Sequence, residues 1–300
     1  MFLSIIVCTY NRDQHIGQAL KSLTEQDFNP EDFEIVIIDN NSTDKTSEII
    51  ENFKINHPSH QIKIFKETKQ GLAFARNKGI KESDGNYVSF IDDDAIAEKD
   101  FVRQIKENAT KYQKYMAFGG KVLPKYEEEK EPKWMSKYIE RIISIVDMGN
   151  EVKEFKKSYP VGCNMFFKKE LLNQIGNFDE KVYLRGEDKE IFYKIKRAGH
   201  RVLYTPDVVV WHFIDAYRTS LDYVTRISWL NGKSEHMRIS ALTEKRNIRL
   251  IFKFIDYFYK INAALLLWIY FWMKSESIKG KFLFVSMISS LSGFIKHKSK

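Results

Sequence analysis

The sequence has very little cysteine and lacks the glycine-rich signatures that usually hold a nucleotide cofactor. Its only cysteines are Cys8 and Cys163, too few for a disulfide framework or for a zinc site made of thiolates. No predicted strand is followed by G-x-G-x-x-G or by a Walker-type G-K-S, which disfavours a dinucleotide-dependent dehydrogenase and a P-loop enzyme. The first residues, Met1–Val7, carry no basic segment and no small-residue cleavage site. We therefore expect an intracellular chain without a secretory signal.

Long uncharged apolar runs are also absent. The two longest near the C-terminus are Ile261–Met273, with 13 residues, and Phe282–Ile295, with 14, whereas a membrane-spanning helix needs roughly 20. Lysines lie between and after these runs. We expect residues 248–295 to contact either the surface of an anionic membrane or another copy of the chain.

Positive charge is scarce in the first third of the chain. Residues 1–100 contain 11 Lys/Arg and 18 Asp/Glu, although the whole chain carries a formal charge of +8. An acidic first third disfavours nucleic acid as a partner, since it would repel phosphates without a metal ion. An acidic first third beside a basic remainder instead favours a divalent-cation site with a basic outer face.

Short apolar runs rich in β-branched residues alternate with helical patterns over the first ninety residues. This alternation predicts an α/β fold with a parallel sheet flanked by helices. Asn11 or Asp13 is the predicted cap of the first helix. The predicted strands are Phe2–Thr9, Phe33–Ile38, Ile62–Phe65 and Tyr87–Ile91.

The second part of the chain is less regular. We expect a helix over 99–114, a strand over 116–122, an irregular insertion over 124–157, a strand over 161–167 and a helix over 185–199. Two short strands, Val202–Tyr204 and Val208–His212, follow. The predicted domains are 1–215, divided into a nucleotide-binding half (1–100) and an acceptor half (101–215), and a helical extension, 216–300.

Three consecutive carboxylates, Asp92, Asp93 and Asp94, end the fourth predicted strand. Carboxylate oxygens are suited to Mg²⁺ or Mn²⁺, and ligands of open α/β sheets collect at the carboxyl ends of strands. A solvated charge run or a helix cap is the alternative reading of the triplet. Polar residues end all four predicted strands, and this convergence favours a functional site.

Six motifs, taken together, resemble those of the family-2 glycosyltransferases. The resemblance covers about residues 1–215 and implies a GT-A fold, a nucleotide-sugar donor and an inverting transfer, as in a hexosyltransferase. It gives no guidance on residues 220–300. The motifs are Ser4–Arg12, Ile37–Asp44, Gly71–Asn77, Phe90–Asp94, Gly186–Asp188 and Val210–His212.

The resemblance also implies roles for individual residues. Asp94 would bind Mn²⁺ or Mg²⁺ directly, with Asp92 and His212 completing the metal shell. Asp39 would accept a hydrogen bond from the imide N–H of uracil, and Arg76 would meet a phosphate. The full set of implied donor-binding residues is Thr9, Tyr10, Arg12, Asp39, Asn41, Arg76, Asp92 and Asp93.

The acceptor hydroxyl must lose a proton as it attacks, which requires a base opposite the leaving group. Asp188 is the expected base and Glu187 the second choice, although acidic residues at a helix start are also ordinary capping groups. We expect a glycan or lipid-linked acceptor and a peripheral location on the cytoplasmic face of the membrane. The competing functions are a nucleotidyltransferase acting on sugar phosphates and a non-enzymatic basic protein that binds membranes or nucleic acid.

Overall fold

The computed structural model describes residues 1–156, 158–181, 185–241 and 245–296, which form two compact units. The first unit contains the described residues within Met1–Pro124, Val146–Tyr183 and Glu187–Phe213. The second contains those within Lys125–Ile145, Leu184–Gly186 and Ile214–Lys300.

Nine strands of the described chain form one sheet in the order β3-β2-β1-β4-β8-β6-β9-β5, with β7 beside β9. The first four neighbours in this order are parallel, and the later pairs whose register is defined are antiparallel. The predicted α/β sheet is therefore confirmed. The strands are β1 (Leu3–Thr9), β2 (Phe33–Asp39), β3 (Gln61–Lys66), β4 (Tyr87–Asp92), β5 (Ala95–Ala97), β6 (Ala117–Tyr126), β7 (Lys153–Glu154), β8 (Met165–Lys168) and β9 (Val202–Ile214).

Helices of the first unit connect these strands and bury one apolar side each. Ile16, Leu20 and Leu23 of the first helix are fully buried, as their helical spacing predicts. Every residue of β2 is buried, which fits a central parallel strand covered on both faces. The helices are α1 (Ile16–Thr24), α2 (Thr46–Asn56), α3 (Leu72–Glu82), α4 (Phe101–Lys111), α5 (Lys169–Ile175) and α6 (Glu187–Arg197).

Two local predictions in the first unit are wrong. The first helix begins at Ile16 with His15 as its N-cap, and neither Asn11 nor Asp13 caps it, because the loop before it is held by the neighbouring loop instead. The two short strands predicted after residue 201 are one strand, β9. Pro206 does not interrupt it, since the fixed φ of proline is compatible with an extended backbone.

The second unit contains three helices, α7 (Leu221–Ser240), α8 (Arg246–Met273) and α9 (Ser277–Ile295), and α9 packs against both of the others. Gly232 of α7 lies so close to the backbone carbonyl of Ser290 that a Cβ atom would overlap it. The hydroxyl groups of Ser228 and Ser286 are hydrogen-bonded at 2.9 Å in the same interface. Small residues thus allow α7 and α9 to approach closely.

Residues 125–145, part of the predicted irregular insertion 124–157, belong to this second unit. Apart from a 3₁₀ turn at Glu140–Ile143, most of the segment has no regular structure, yet most of its apolar side chains are buried. The ring of Trp134 stacks on Phe282 at 4.6 Å, and its indole N–H donates to the carbonyl of Thr219 at 2.6 Å. Packing rather than backbone regularity holds this segment in place.

The apolar C-terminal runs lie in longer helices than their uncharged lengths suggested. Among the described residues, α9 is the one helix that is long and apolar enough to span a membrane, with 39% of its apolar window buried. The expectation that neither run could span is therefore wrong for α9, because the helical residues Ser277–Lys281 before the uncharged run add to its length. Core helices of soluble proteins meet the same criterion, so length and composition alone do not place α9 in a bilayer.

Candidate active site

The carboxyl ends of β1, β2 and β4 meet at one edge of the parallel sheet. In register, Thr9 lies opposite Asp39, and Cys8 lies opposite Asp92. Parallel pairing therefore brings the residues that end three separate strands side by side, as the sequence predicts. This edge is where open α/β sheets bind ligands.

The loops that follow β1 and β2 are joined by hydrogen bonds. The backbone N–H of Asn11 donates to the hydroxyl of Ser42 at 3.1 Å, and the amide oxygen of Asn11 accepts from the N–H of Thr43 at 2.8 Å. The N–H of Arg12 donates to the hydroxyl of Thr46 at 2.8 Å. Asn11 has a left-handed backbone, with φ of 52°, which asparagine tolerates better than most residues. The two loops form one continuous rim.

Asp39 is buried beneath this rim. Its carboxylate accepts from the backbone N–H of Ser42 at 2.9 Å and from the hydroxyl of Ser47 at 2.5 Å. A carboxylate can accept about four hydrogen bonds, so these contacts orient the group and leave acceptor capacity. Two other predicted donor-binding residues are exposed on the adjacent loops: Tyr10, and Asn41, which has φ of 67°.

Asn40 is a buried residue that the sequence analysis did not single out. Its amide nitrogen donates to the carbonyls of Glu67 and Lys69 at 3.0 and 2.7 Å. Its amide oxygen accepts from the N–H of Gly71 at 2.8 Å. One side chain therefore fastens the loop before α3 to the end of β2. The sequence offered one signal for this residue, which was its position at a strand end between the predicted donor-binding residues Asp39 and Asn41.

Two arginines, Arg12 and Arg76, lie beside the three carboxylates at the end of β4. Asp93 and Asp94 are buried. Arg12 lies beside them, with Nε 3.5 Å from Asp93 Oδ1 and an Nη atom 3.7 Å from Asp94 Oδ2. Burial and the adjacent Asp94 raise the pKa of Asp93 to about 7. Desolvation also raises the pKa of Asp92, although Arg76 opposes it. Three carboxylates thus face two arginines, and Arg76 is shared with a further carboxylate, Glu187.

Strand β9 places His212 beside the carboxylates at the end of β4. Antiparallel pairing sets Ala95 of β5 opposite His212, and His212 Nε2 lies 3.3 Å from Asp94 Oδ1. Asp92, Asp94 and His212 each offer one ligand atom, and these atoms lie within 4.8 Å of one another. Two carboxylate oxygens and one imidazole nitrogen form a donor set that fits a divalent cation such as Mn²⁺. The structure therefore gathers all three predicted metal ligands.

Arg76 differs from its predicted position beside a phosphate. Its side chain is only 2% exposed, with Nη1 2.9 Å from Glu187 Oε1 and Nη2 3.5 Å from Asp92 Oδ1. Burial opposes its charge, but Glu187 and Asp92 raise the pKa of Arg76 overall. Arg76 therefore joins the start of α6 to the end of β4 from inside the protein.

Aromatic rings and a glycine enclose the Arg76 guanidinium. Its central carbon lies 5.6 Å from the ring centroid of Phe90 and 5.3 Å from that of Phe178, distances typical of cation–π contacts. A Cβ atom on Gly162 would overlap the guanidinium. Phe90 lies in β4, and Gly162 and Phe178 lie in loops far along the chain, so no local pattern around residue 76 could have revealed the buried position.

The two candidate bases stand next to each other at the start of α6 but differ in their partners. Glu187 Oε1 lies 2.9 Å from Arg76 Nη1. Asp188 is half-buried, and its Oδ1 accepts from the N–H of Lys189 at 2.6 Å. Its charge also acts on Arg76, so it lies near the Arg76–Glu187 pair. Residues 182–184, which precede this turn, lie outside the described residues.

Comparison with known proteins identifies a family that this chain matches. The sequence profile of a family described as Glycosyl transferase family 2 matches residues 4–176. Glucosyl-dolichyl phosphate glucuronosyltransferase of Haloferax volcanii is 23% identical over 79% of this chain and 77% of its own length. A dolichyl N-acetyl-alpha-D-glucosaminyl phosphate 3-beta-D-2,3-diacetamido-2,3-dideoxy-beta-D-glucuronosyltransferase of Methanococcus voltae is 28% identical over 69% of this chain and 65% of its own length.

Solved structures resemble the fold over most of the chain. A mannosyltransferase of Pyrobaculum calidifontis, in complex with GDP-Man and Mn²⁺, superposes with a TM-score of 0.63 and 20% identity, covering 98% of this chain and 88% of that one. Residues 1–349 of TarS from Staphylococcus aureus, in complex with UDP, give a TM-score of 0.53 and 20% identity over 77% and 65% of the two chains. At 20% sequence identity, the structural similarity shows a shared fold.

Proposed function

The chain belongs to glycosyl transferase family 2 and has its GT-A fold, and from this we propose that it transfers a sugar from a UDP-sugar, with inversion, to a hydroxyl group of a lipid-linked or glycan acceptor. The observation that carries the proposal is the gathering of Asp92, Asp94 and His212 at the edge of the sheet where Asp39 is buried. A nucleotide diphosphate needs both features, an acceptor for its base and a positive charge for its phosphates.

We place the donor nucleotide along the rim formed by the loops after β1 and β2. Asp39 is held in a fixed orientation and retains acceptor capacity for the imide N–H of a uracil base. Thr9, Tyr10 and Asn41 lie at the same rim and would contact the nucleoside. Arg12, already beside the carboxylates, would extend toward the diphosphate, since guanidinium groups suit phosphate oxygens.

Asp92, Asp94 and His212 would hold a divalent cation, Mn²⁺ or Mg²⁺. Such an ion, when bound, neutralises a diphosphate leaving group as a Lewis acid. The protein's own contribution is to fix these three side chains through the pairing of β5 with β9. Arg76 fixes Asp92 from the interior side.

Asp188 is proposed to act as the general base. The acceptor oxygen forms a bond to the anomeric carbon while the bond from that carbon to the diphosphate breaks, and the hydroxyl proton passes to the Asp188 carboxylate. Attack on the face opposite the leaving group inverts the configuration. Asp188 lies in the first turn of α6, where the helix dipole favours its ionised form.

A lipid-linked acceptor is supported by the relatives' substrates. The two archaeal relatives are named for dolichyl phosphate-linked sugars. An acceptor of that kind would keep the reaction at a membrane, and we propose the cytoplasmic face. The lipid-linked sugars in both relatives' names are also glycans, so a glycan acceptor is the broader class.

A ligand screen tests the proposed function. Sugar nucleotides and their diphosphates are added to the full chain with Mn²⁺, with Mg²⁺ or with EDTA, and the melting temperature is recorded. A ligand that binds only the native state raises stability by mass action. We expect UDP-sugars to stabilise the protein only with a divalent cation. Stabilisation by another nucleotide would change the donor, and no stabilisation by any nucleotide would refute the proposal.

A further inference from the structure

Helix α8 carries large apolar residues over much of its surface, and few of them are buried. Its buried residues are Tyr257, Ala264 and Phe271, spaced seven apart on one line of the helix. This strip faces α9, the helix against which α8 makes its main contacts. Large apolar residues of a helix are normally buried in a protein core or a membrane. The exposed apolar residues of α8 therefore indicate a binding surface.

The side of α8 opposite this strip, which we call the outer face, consists of large apolar residues in solvent. Phe252, Phe258, Tyr259, Leu266, Trp272 and Met273 are each at least 63% exposed. Soluble monomers rarely expose a continuous apolar patch of this kind without a binding partner. The outer face includes tyrosine and tryptophan, which are enriched at membrane–water interfaces.

The charges around the outer face are mostly positive. Residues 246–296 contain eight Lys/Arg and two Asp/Glu. Both acids already have basic partners on their own helices, Asp256 with Lys253 and Lys260 at 2.8 and 2.9 Å, and Glu276 with Lys279 at 2.6 Å. The exposed basic residues are Arg246, Arg249, Lys260, Lys274, Lys281 and Lys296.

This charge pattern favours an anionic membrane, rather than a second copy of the chain, as the partner of the outer face. A two-fold dimer places the same patch of each subunit against the other, so it would bring these positive charges together with no unengaged acid from this region to balance them. An anionic bilayer offers an apolar layer for the outer face and negative headgroups for the lysines and arginines.

We propose that the outer face of α8 docks on an anionic membrane, with the helix lying in the plane of the interface. The first half of α8 carries Arg249, Lys253, Asp256 and Lys260, which a spanning orientation would place in hydrocarbon at high cost. Lying in the interface keeps these groups at the headgroups. The inference rests on exposure and charge in the second unit and does not depend on the proposed transfer reaction.

Vesicle co-sedimentation of the full chain tests the proposal. The probes are vesicles of phosphatidylcholine alone and of phosphatidylcholine with phosphatidylserine. We expect binding to the anionic vesicles, weak binding to the neutral ones, and release at high salt because salt screens surface charge. The double variant Phe258→Glu with Leu266→Glu should weaken binding by about a hundredfold or more, since two apolar side chains can no longer leave water.

Two further variants are needed, one as a control outside the outer face and one that tests the contribution of positive charge. Ile55→Glu changes an exposed apolar residue of the first unit and should leave vesicle binding unchanged. Lys274→Gln with Lys281→Gln keeps the apolar face and should weaken binding to anionic vesicles by about tenfold or more. Circular dichroism checks that each variant folds.

Sedimentation velocity without lipid tests the competing explanation, which is self-association of the chain. A discrete oligomer that ignores vesicles, and that Phe258→Glu with Leu266→Glu converts to monomers, would overturn the proposal in favour of self-association. Vesicle binding that both pairs of substitutions leave intact would overturn it as well. Binding lost in both pairs and retained in Ile55→Glu supports it.

Discussion

Asp188 and Glu187 are adjacent carboxylates that should respond differently to substitution. Asp188→Asn removes the proposed proton acceptor and should lower the transfer rate by about 10²–10⁴. UDP affinity should stay near that of the parent, because the base acts on the acceptor. Rapid-mixing assays of transfer, beside calorimetry of UDP, measure the two quantities. Near-parental turnover would contradict the assignment of Asp188.

The proposed metal ligands give a second test at single positions. We expect UDP to bind the parent in Mn²⁺ and far more weakly in EDTA, and Asp94→Asn should weaken Mn²⁺ binding by removing a charged ligand. Calorimetry with Mn²⁺ alone reports the loss directly, without an assay of turnover. Glu107→Gln, which removes an exposed carboxylate of α4 outside the ligand cluster, is the control. Equal UDP affinity with and without Mn²⁺ would remove the metal from the mechanism.

Arg76 should matter for stability as well as for the site. Arg76→Met leaves Glu187 and Asp92 without their shared cation, and loss of one partner of a buried ion pair costs about 3–5 kcal/mol. Urea unfolding measures the change. Arg103→Met, which breaks a surface pair with Asp27 at 3.0 Å, should cost below about 1 kcal/mol. Similar losses in the two variants would show that Arg76 is not the buried link described here.

At the scale of elements, a charged cluster connects β1, β2 and β3 at their amino-terminal ends. Glu34 is fully buried, accepts from the Ser4 hydroxyl at 2.6 Å and lies 2.7 Å from Lys63 Nζ. Lys63 also contacts Asp84 at 2.6 Å. Its hydrogen bond and charge lower the pKa of Asp84, and the hydrogen bonds to Asp84 and Glu34 raise the pKa of Lys63 against the opposing effect of burial.

The sign of these shifts predicts a pH dependence of stability. Because the folded pKa of Asp84 is lowered, its contribution is present above the unfolded pKa and is lost as pH falls through the folded value. The contribution of Lys63 is present below its unfolded pKa and is lost as pH rises through its raised folded value. Lys63→Met should therefore destabilise the protein most near neutral pH and progressively less in acid. Melting temperatures across acidic and neutral pH check this, and a pH-independent difference would contradict it.

The elements that the sequence predicts well are those with strong local patterns. The apolar runs of β1, β2 and β4 are continuous, and parallel pairing then places Thr9, Asp39 and Asp92 at one edge without further information. Strand β5 has only three residues, and its pairing with β9 depends on a segment more than a hundred residues away. Such pairing leaves no local signature, and neither does the burial of Arg76.

At the scale of the whole molecule, composition indicated the acidic and basic parts of the chain but not which residues would be buried together. The segment 124–157 is predicted to be an irregular insertion because it is rich in charge, yet Trp134 and its apolar neighbours are buried with residues of the C-terminal helices. Counting uncharged runs likewise underestimated α8 and α9. Helices continue through charged residues when those residues lie on one side, so run length is a poor measure of helix length.

The pairing of β5 with β9 also has a consequence for the protein while it is being made. Asp92 and Asp94 emerge from the ribosome long before His212, and at about 5–20 residues per second the interval is roughly 6–24 s. During that time β5 lacks its sheet neighbour, and Arg76 lacks Glu187. A nascent chain therefore carries the carboxylates without the histidine and without α6. Full cation affinity, and with it catalysis, should appear late in synthesis, after β9 has joined the sheet.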